Sequence, residues 1–424
     1  MKRACIITLG CRLNHADTAL LTDRLQKAGY VLVPTPEDHP ELIVLNSCAV
    51  TAEAERKSRQ QIRRLRRLCP RAEIVAAGCA AELAPERMRA CGADRVWSNP
   101  GKKHPEEACR RSRDLTAENF TENAVGQFPF RTRAFIKIQE GCDNRCAYCI
   151  VPTVRGPSRS RRFSECVEDC RHAVENGIPE IVLTGVNTCA YQDEGRSLAD
   201  LIRAVAALPG EFRIRLSSTE PHPDDLTLVR LIAAPEHRLC RFLHLSMQHG
   251  SDRILRAMRR NYTADQFRRY ADAARKAVPD IHLGTDFIVG FPGETDADFA
   301  ELLRVAREVA FANIHAFAYS PRPGTPAAAL PDRVPPTVIR ARMAQLREVA
   351  AQNAADFAVS QYGKVLPVIL EQESGGFQRG WSDNYLAIRV PADSFPLRRI
   401  VPIRADESNS GQRAASGLSR LDRE

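Results

Sequence analysis

The stretch GCDNRCAYC, residues 141–149, sets the architecture of the whole chain. Its cysteines, Cys142, Cys146 and Cys149, stand in the spacing C-x3-C-x2-C. A cubane iron–sulfur cluster takes four ligands, usually thiolates. Three thiolates on one short loop wrap a corner of the cubane and leave the fourth iron open to another ligand. Zinc is the competing reading, but it wants a fourth protein ligand close by, commonly Cys or His. The loop holds none. The loop also follows the apolar run AFIKIQ (134–139). In parallel α/β barrels, active sites are built from the loops that follow the strands.

Downstream, five more apolar runs read as strands: EIVLTG (180–185), FRIRLSS (212–218), RFLHLSM (241–247), IHLGTDFIVG (281–290) and ANIHAFAYS (312–320). Helical patterns lie between them, among them SECVEDCRHAVENG (164–177), SLADLIRAVAAL (197–208) and TDADFAELLRVAREVA (295–310). Six strand–helix units predict an incomplete parallel (β/α)6 barrel, because a full eight-unit barrel needs more chain than is available before residue 360.

Upstream, short buried strands again alternate with helices: CIITLG (5–10), ELIVLN (41–46) and AEIVAAG (72–78), with helical patterns at 16–30, 51–68 and 82–92. That alternation predicts a parallel sheet in an α/β domain. Residues 99–128 turn polar and lose periodicity, as a linker does. After residue 361 the runs VLPVILEQ, GFQRGW, NYLAIRVP and LRRIVPIRA, separated by turn formers, predict a small β-barrel or sheet. The polar run NSGQRAASGLSR (409–420) is expected to be disordered. The expected divisions are 1–115, 128–358 and 361–424.

Three cysteines of the first domain, Cys11, Cys48 and Cys79, each come directly after an apolar strand, in TLGC, LNSC and AAGC. In a parallel sheet the carboxyl ends of all strands share one edge, and ligands bind there. Three such placements predict a second metal site. The remaining eight of the 14 cysteines show no such pattern, and packing is their default role.

Composition narrows the class. At 424 residues and 44% hydrophobic content the chain suits two or three globular domains. No apolar run approaches the roughly 18–20 residues that cross a bilayer. The N-terminal run lacks a small-residue cleavage site. A cytoplasmic protein with no membrane partner is therefore expected. Cysteines in a long intracellular chain point to metal, redox chemistry or packing rather than disulfides. The formal charge of +9 favours an anionic partner such as nucleic acid. Candidate phosphate contacts are Arg63, Arg64, Arg66 and Arg67, and the run Arg155, Arg159, Arg161 and Arg162; Phe377, Trp381 and Tyr385 are candidates for base stacking, although core packing is the more ordinary role for at least two of them.

EGCDNRCAYCIVPTVRG (140–156) resembles the cluster loop of the radical S-adenosylmethionine (SAM) enzymes. The resemblance implies that SAM chelates the open iron and that one electron from the cluster cleaves it to a deoxyadenosyl radical. It places Tyr148 near the cluster. LTGVN, with Gly185 and Asn187, resembles the segment that meets the SAM amino group. Ser218 and Glu220 of SSTEP, Gln248 of HLSMQHGS and Gly290 of DFIVGFPGET resemble further SAM contacts. His249 departs from the serine the family often has there. TLGCRLNHADT, NSCAVTAEAERKSRQ and GCAAE resemble motifs of the methylthiotransferases. That resemblance implies an auxiliary 4Fe–4S cluster on Cys11, Cys48 and Cys79, and a C-terminal RNA-binding β-barrel of TRAM type. Within the family, CAVTAEAERKSRQ and IHAFAYSPRPGTPA look most like the MtaB branch, which methylthiolates C2 of N6-threonylcarbamoyladenosine just 3′ of the tRNA anticodon. The partners implied are a tRNA anticodon stem-loop and an electron donor such as flavodoxin or ferredoxin. Isopentenyladenosine tRNA and a ribosomal-protein aspartate are the alternative substrates. A noncatalytic iron–sulfur protein that binds RNA or senses redox state is the alternative of another class.

Overall fold

A computed structural model describes residues 2–100, 102 and 132–411. The expected linker and the polar tail lie almost wholly outside the described residues. The N-terminal domain is a five-stranded parallel sheet. Its strands are β1 (Arg3–Thr8), β2 (Val31–Leu32), β3 (Leu42–Ser47), β4 (Glu73–Gly78) and β5 (Arg95–Val96), in the spatial order β2-β1-β3-β4-β5. All six residues of β3 are buried, as expected of a strand covered on both faces. Its helices are α1 (Arg12–Lys27), α2 (Ala52–Leu68), α3 (Cys79–Leu83) and α4 (Pro85–Arg89). The strongly charged α2 is held by a stripe at Glu55, Ser58, Ile62 and Leu65, the helical i, i+3, i+7, i+10 spacing. Thr51 caps it by accepting from the Ala54 N–H at 3.1 Å. The expected single helix at 82–92 is instead two short ones, broken where Pro85 starts a new helix.

The central domain has six parallel strands: β6 (Arg133–Lys137), β7 (Glu180–Thr184), β8 (Arg213–Leu216), β9 (Phe242–His244), β10 (His282–Val289) and β11 (Asn313–Ala318). Ladders join β6, β7 and β8, and again β9, β10 and β11. The halves meet through parallel bridges at Ile214–Leu239 and Thr219–Leu245. The result is an open (β/α)6 barrel. Its outward-facing residues Ala134, Ile136, Ile181 and Leu183 pack with the helices in the largest apolar core. Those helices are α6 (Phe163–Glu175), α7 (Leu198–Ala206), α8 (Thr227–Ala233), α9 (Asp252–Ala257), α10 (Ala264–Ala277) and α11 (Asp296–Val309), whereas the short α5 (Val151–Arg155) buries Val154 in the core of the N-terminal domain instead.

The long helix α12 (Pro336–Ser360) runs on to the C-terminal domain. There β12 (Val365–Ser374), β13 (Phe377–Ser382), β14 (Ala387–Pro391) and β15 (Ile400–Arg404) form an antiparallel sheet in the order β14-β13-β12-β15. The chain after β15 folds back, and Ser410 pairs with Ile388 of β14. This return curls the sheet toward a small barrel.

The N-terminal domain touches both edges of the open barrel. On one side His15 of α1 packs on Phe135 of β6, ring centroids 5.8 Å apart. On the other, Ser320 Oγ accepts from the Ala52 N–H at 2.9 Å, and Arg322 reaches Glu55 at 2.7 Å. The C-terminal domain docks at the opposite end, on the residues that begin the barrel strands. Arg213 donates to the carbonyls of Pro367 and Trp381, and Arg215 to those of Ser382 and Asp383.

Candidate active site between two cysteine sets

The first cysteine set lies at the carboxyl edge of the N-terminal sheet. Strands β1, β3 and β4 are neighbours there, so the residues that follow them converge. Cys11 caps α1 and is exposed; Cys48 and Cys79 are buried. The turn before Cys11 lies against Cys48: a Cβ on Gly10 would come within 3.0 Å of Cys48 Sγ. Burial pushes the Cys48 thiol up to about 12, and the neighbouring Cys11 and Cys79 push in the same direction. The second set, Cys142, Cys146 and Cys149, lies on the loop after β6 and the two-residue strand at 139–140. Burial raises Cys149 to about 12, again with its two partner cysteines adding to the effect. All six cysteines are free of disulfides. Each trio thus gathers thiols that repel one another as thiolates, the donor chemistry that a cationic iron–sulfur cluster relieves.

Each trio also has one buried guanidinium on a sulfur. Arg260 Nη1 donates to Cys146 Sγ at 3.2 Å, while Arg260 also pairs with Glu220 at 2.6 Å and with the Tyr262 hydroxyl at 2.8 Å. Arg155 Nε donates to Cys79 Sγ at 3.3 Å. The remaining nitrogens of Arg155 reach Glu140 Oε1 at 3.0 Å, Asn14 Oδ1 at 2.6 Å and Asp17 Oδ2 at 3.1 Å.

The other expected SAM contacts ring the same mouth. Gly185 packs on Gln139, whose Oε1 accepts from the N–H groups of Val186 and Asn187 at 3.0 and 2.9 Å. Gln139 Nε2 donates back to the Gly141 carbonyl at 2.7 Å, so one buried side chain ties the two loops together. Among the described residues, Asn187 Oδ1 and Ser217 Oγ are buried without a protein partner, as groups awaiting a polar ligand would be. Tyr148 is half-buried and packs beside Met258, Ile288 and Phe291. Ser218 is exposed, and Glu220 is engaged by Arg260. Gln248 has a positive φ of 72°, and its backbone joins the β10 ladder at Asp286 and Ile288. Gly290 turns with φ 81°, and its N–H donates to Glu294 Oε2 at 2.8 Å. His249 is wholly buried: its ring accepts from the Ser251 N–H at 2.9 Å and meets Glu294 Oε2 at 3.3 Å. The unexpected histidine therefore braces the turn at Gly290. Deeper in the lumen, His244 Nε2 and His315 Nδ1 both meet Asp286 Oδ1, at 3.0 and 3.1 Å, and Ser246 Oγ donates to the other oxygen at 2.7 Å. That carboxylate is satisfied from within the protein.

Several expected RNA contacts are corrected. Arg155 is buried on the Cys79 sulfur, and Arg161 is buried with Asp169 at 2.8 Å and the Lys137 carbonyl at 3.0 Å. Neither reaches the surface. Arg66 is tied to Asp94 and to the carbonyls of Gly92 and Ala72. Arg63, Arg64, Arg67 and Arg162 are exposed, and Arg159 is half-buried. Trp381 is buried and stacks on Tyr385 at 4.6 Å, and Tyr385 faces Phe242 at the barrel base. Phe377 alone of the three aromatics is outside this packing, with Arg389 over its ring at 4.4 Å. Sequence reasoning missed Gln139, Arg260 and the lumen histidines. No local spacing marks them, because the contacts that place them, with Val186 and Asn187 for Gln139, Cys146 and Glu220 for Arg260 and Asp286 for the histidines, join segments far apart in sequence.

Comparison with known proteins follows the same division of the chain. Residues 136–306 match the family described as "Radical SAM superfamily", and residues 3–96 match "Uncharacterized protein family UPF0004". A relative from Thermotoga maritima, named threonylcarbamoyladenosine tRNA methylthiotransferase MtaB, is 37% identical over 88% of this chain and 87% of its own. A protein of the same name from Chlamydia pneumoniae is 35% identical over 95% of this chain and 94% of its own. The chain belongs to the radical SAM methylthiotransferases. Among solved structures, the radical SAM methyltransferase TsrM from Kitasatospora setae superposes with a TM-score of 0.57 at 17% identity, over 77% of each chain. That likeness concerns the fold alone. Among the described residues, no helix of this methylthiotransferase is long and apolar enough to cross a membrane.

Proposed function

We propose that this radical SAM methylthiotransferase adds a methylthio group to C2 of N6-threonylcarbamoyladenosine, just 3′ of the anticodon in tRNA. Cys142, Cys146 and Cys149 hold the cluster that binds SAM, and Cys11, Cys48 and Cys79 hold the auxiliary cluster. When bound, one SAM would supply the radical that activates an inert C–H bond, a second SAM the methyl group, and the auxiliary 4Fe–4S cluster the site of the sulfur that replaces the hydrogen. The observation that carries this reading is that Arg155 bridges Cys79 of one three-cysteine set to Glu140, which directly precedes the loop of the other. C2–H is not acidic and adenine C2 has no leaving group, so acid–base side chains alone would be a poor route.

The chain's own residues bind, orient and shield. Arg260 steadies the Cys146 sulfur and Glu220 together. Gln139 fixes the Asn187 loop against the cysteine loop, leaving Asn187 Oδ1 free for the SAM amino group. An unpaired loop base enters at a lower unstacking cost than a duplex base. Exposed Arg63, Arg64 and Arg67 on α2 and Arg162 contribute phosphate contacts, which predicts strongly salt-dependent binding to an anticodon stem-loop. A small acidic electron carrier of the flavodoxin or ferredoxin kind supplies the electrons.

Iron and acid-labile sulfide, counted after anaerobic reconstitution, test the reading together with mass spectrometry of tRNA nucleosides. About eight irons per chain are expected, falling to about four when either cysteine trio is changed to alanine. A deletion strain should lack the methylthio derivative and regain it on complementation. About four irons in the wild type, lost only with Cys142, Cys146 and Cys149, would remove the auxiliary cluster and the route to sulfur insertion.

A further inference from the structure

We infer that Arg155 is a positioning residue for the auxiliary cluster, holding the Cys79 sulfur through a charge-assisted hydrogen bond that raises the cluster's reduction potential. The inference rests on the reading that Cys11, Cys48 and Cys79 hold that cluster.

The connection begins in the chain itself. Cys149 belongs to the SAM-cluster trio, and α5 starts two residues later and ends at Arg155. The helix inserts into the other domain. Ile150 and Val154 are buried in the N-terminal core beside Cys79, Ala80 and Ala81, and Asn99 Nδ2 donates to the Val154 carbonyl. Gly156 then turns the chain with φ 75°, and its carbonyl accepts from the Cys142 N–H at 3.1 Å. One short segment therefore carries a ligand of the first trio, fills the core that supports the second, and returns to brace the first.

Arg155 closes the arrangement. Its guanidinium is 5% exposed as a residue and is spread over four partners: Cys79 Sγ at 3.3 Å, with Glu140, Asn14 and Asp17 taking the other nitrogens. Glu140 directly precedes the cysteine loop, and Asn14 and Asp17 lie on the helix that Cys11 caps. A planar fork suits such divergent acceptors, whereas a lysine offers one point of charge. Hydrogen bonds and positive charge at ligand sulfurs favour the reduced, more negative state of a cluster and so raise its potential.

The test uses full-length protein in which Cys142, Cys146 and Cys149 are replaced by alanine, so that only the auxiliary cluster is present. Its midpoint potential is read by redox titration with EPR detection, for Arg155 and for Arg155→Lys and Arg155→Gln. The expected result is a more negative potential in both variants, larger for glutamine, at unchanged iron content. A potential equal to that of the parent in cluster-loaded variants overturns the inference while leaving the auxiliary cluster intact. Iron missing from the parent overturns the reading beneath it, and the inference with it. Should the variants fail to fold, the parent labelled with 15N only at the arginine guanidinium nitrogens decides, since the Arg12 guanidinium beside Cys11 reaches away to Tyr385: pulsed EPR of the reduced cluster should detect a coupled 15N, and its absence overturns the inference.

Discussion

At the scale of single residues, the cysteine loop depends on backbone that only glycine can supply. Gly141 has φ 72°, and a Cβ there would fall 1.9 Å from the Pro157 carbonyl oxygen and 2.6 Å from that of Gly156. Both obstacles are backbone, so no side chain can move aside. The Cys142 N–H bonds to the same Gly156 carbonyl, which makes the first cysteine the one displaced. Gly141→Ala should therefore lose the SAM cluster and keep the auxiliary one, with iron dropping from about eight to about four per chain. Normal iron in that variant would show that the loop tolerates a large backbone shift. Gly78, with φ 85° and the Ser47 carbonyl 2.5 Å from a built Cβ, has the same role before Cys79.

At the scale of elements, α1 joins the two cysteine sets through Asp17. Its carboxylate is buried with Lys102 at 2.6 Å, Lys137 at 2.6 Å and Arg155 at 3.1 Å. Burial alone would raise its pKa; the two lysines and the arginine outweigh that and hold it well below the ordinary value. A depressed folded-state pKa adds stability above the unfolded value of about 3.9, and that stability is lost as the pH falls toward the folded value. The urea midpoint should accordingly fall as the pH drops below about 4, through this group among others. Asp17→Asn should be less stable at neutral pH by about 3–5 kcal/mol, the cost of stranding buried partners, and should lose part of the acid dependence. Equal acid slopes in the two proteins would refute this role. None of this network was legible in the sequence, for a physical reason. The strands β1, β3, β4 and β6–β11 were readable because burial on both faces or one demands local apolar runs. The cysteine trios were readable because parallel strands deliver the residues that follow them to a common edge. Arg155 and Arg161 were misread as surface charge because their partners, Asp17 and Glu140 for one and Asp169 for the other, meet them only in the folded chain. The two-residue strands β2 and β5 carry too little pattern to be seen, and α1 starts earlier than its apolar spacing suggested, on a Cys11 cap that makes no side-chain hydrogen bond.

At the scale of the whole molecule, the two ends of the barrel do different work, and Glu180 governs the end away from the cysteine loop at 142–149. It begins β7, is wholly buried, and accepts from Arg133 at 2.7 Å, Arg213 at 2.6 Å and Arg215 at 3.0 Å. Burial would push its pKa up, but the three guanidinium groups hold it well below the ordinary range. Those same arginines reach onward: Arg213 and Arg215 donate to four carbonyls of the C-terminal domain, and Arg133 meets Glu371 of β12 at 2.5 Å. Glu180 thus aims the cations that dock the terminal sheet, and Arg241 adds a paired contact with Asp383 at 2.7 and 2.9 Å. Glu180→Gln keeps the shape but removes the only carboxylate that all three arginines share among the described residues. Removing one partner of a buried charge cluster costs about 3–5 kcal/mol. The expected outcome is a lower urea midpoint and faster amide exchange across residues 365–404, with the iron held by Cys142, Cys146 and Cys149 unchanged because their loop follows the carboxyl end of β6, opposite Glu180. Binding to tRNA should weaken as well if the terminal domain grips RNA from a fixed position. Unchanged exchange in that segment would mean that the aromatic stack of Trp381, Tyr385 and Phe242 is sufficient to seat the domain, and that the arginines around Glu180 serve the barrel alone.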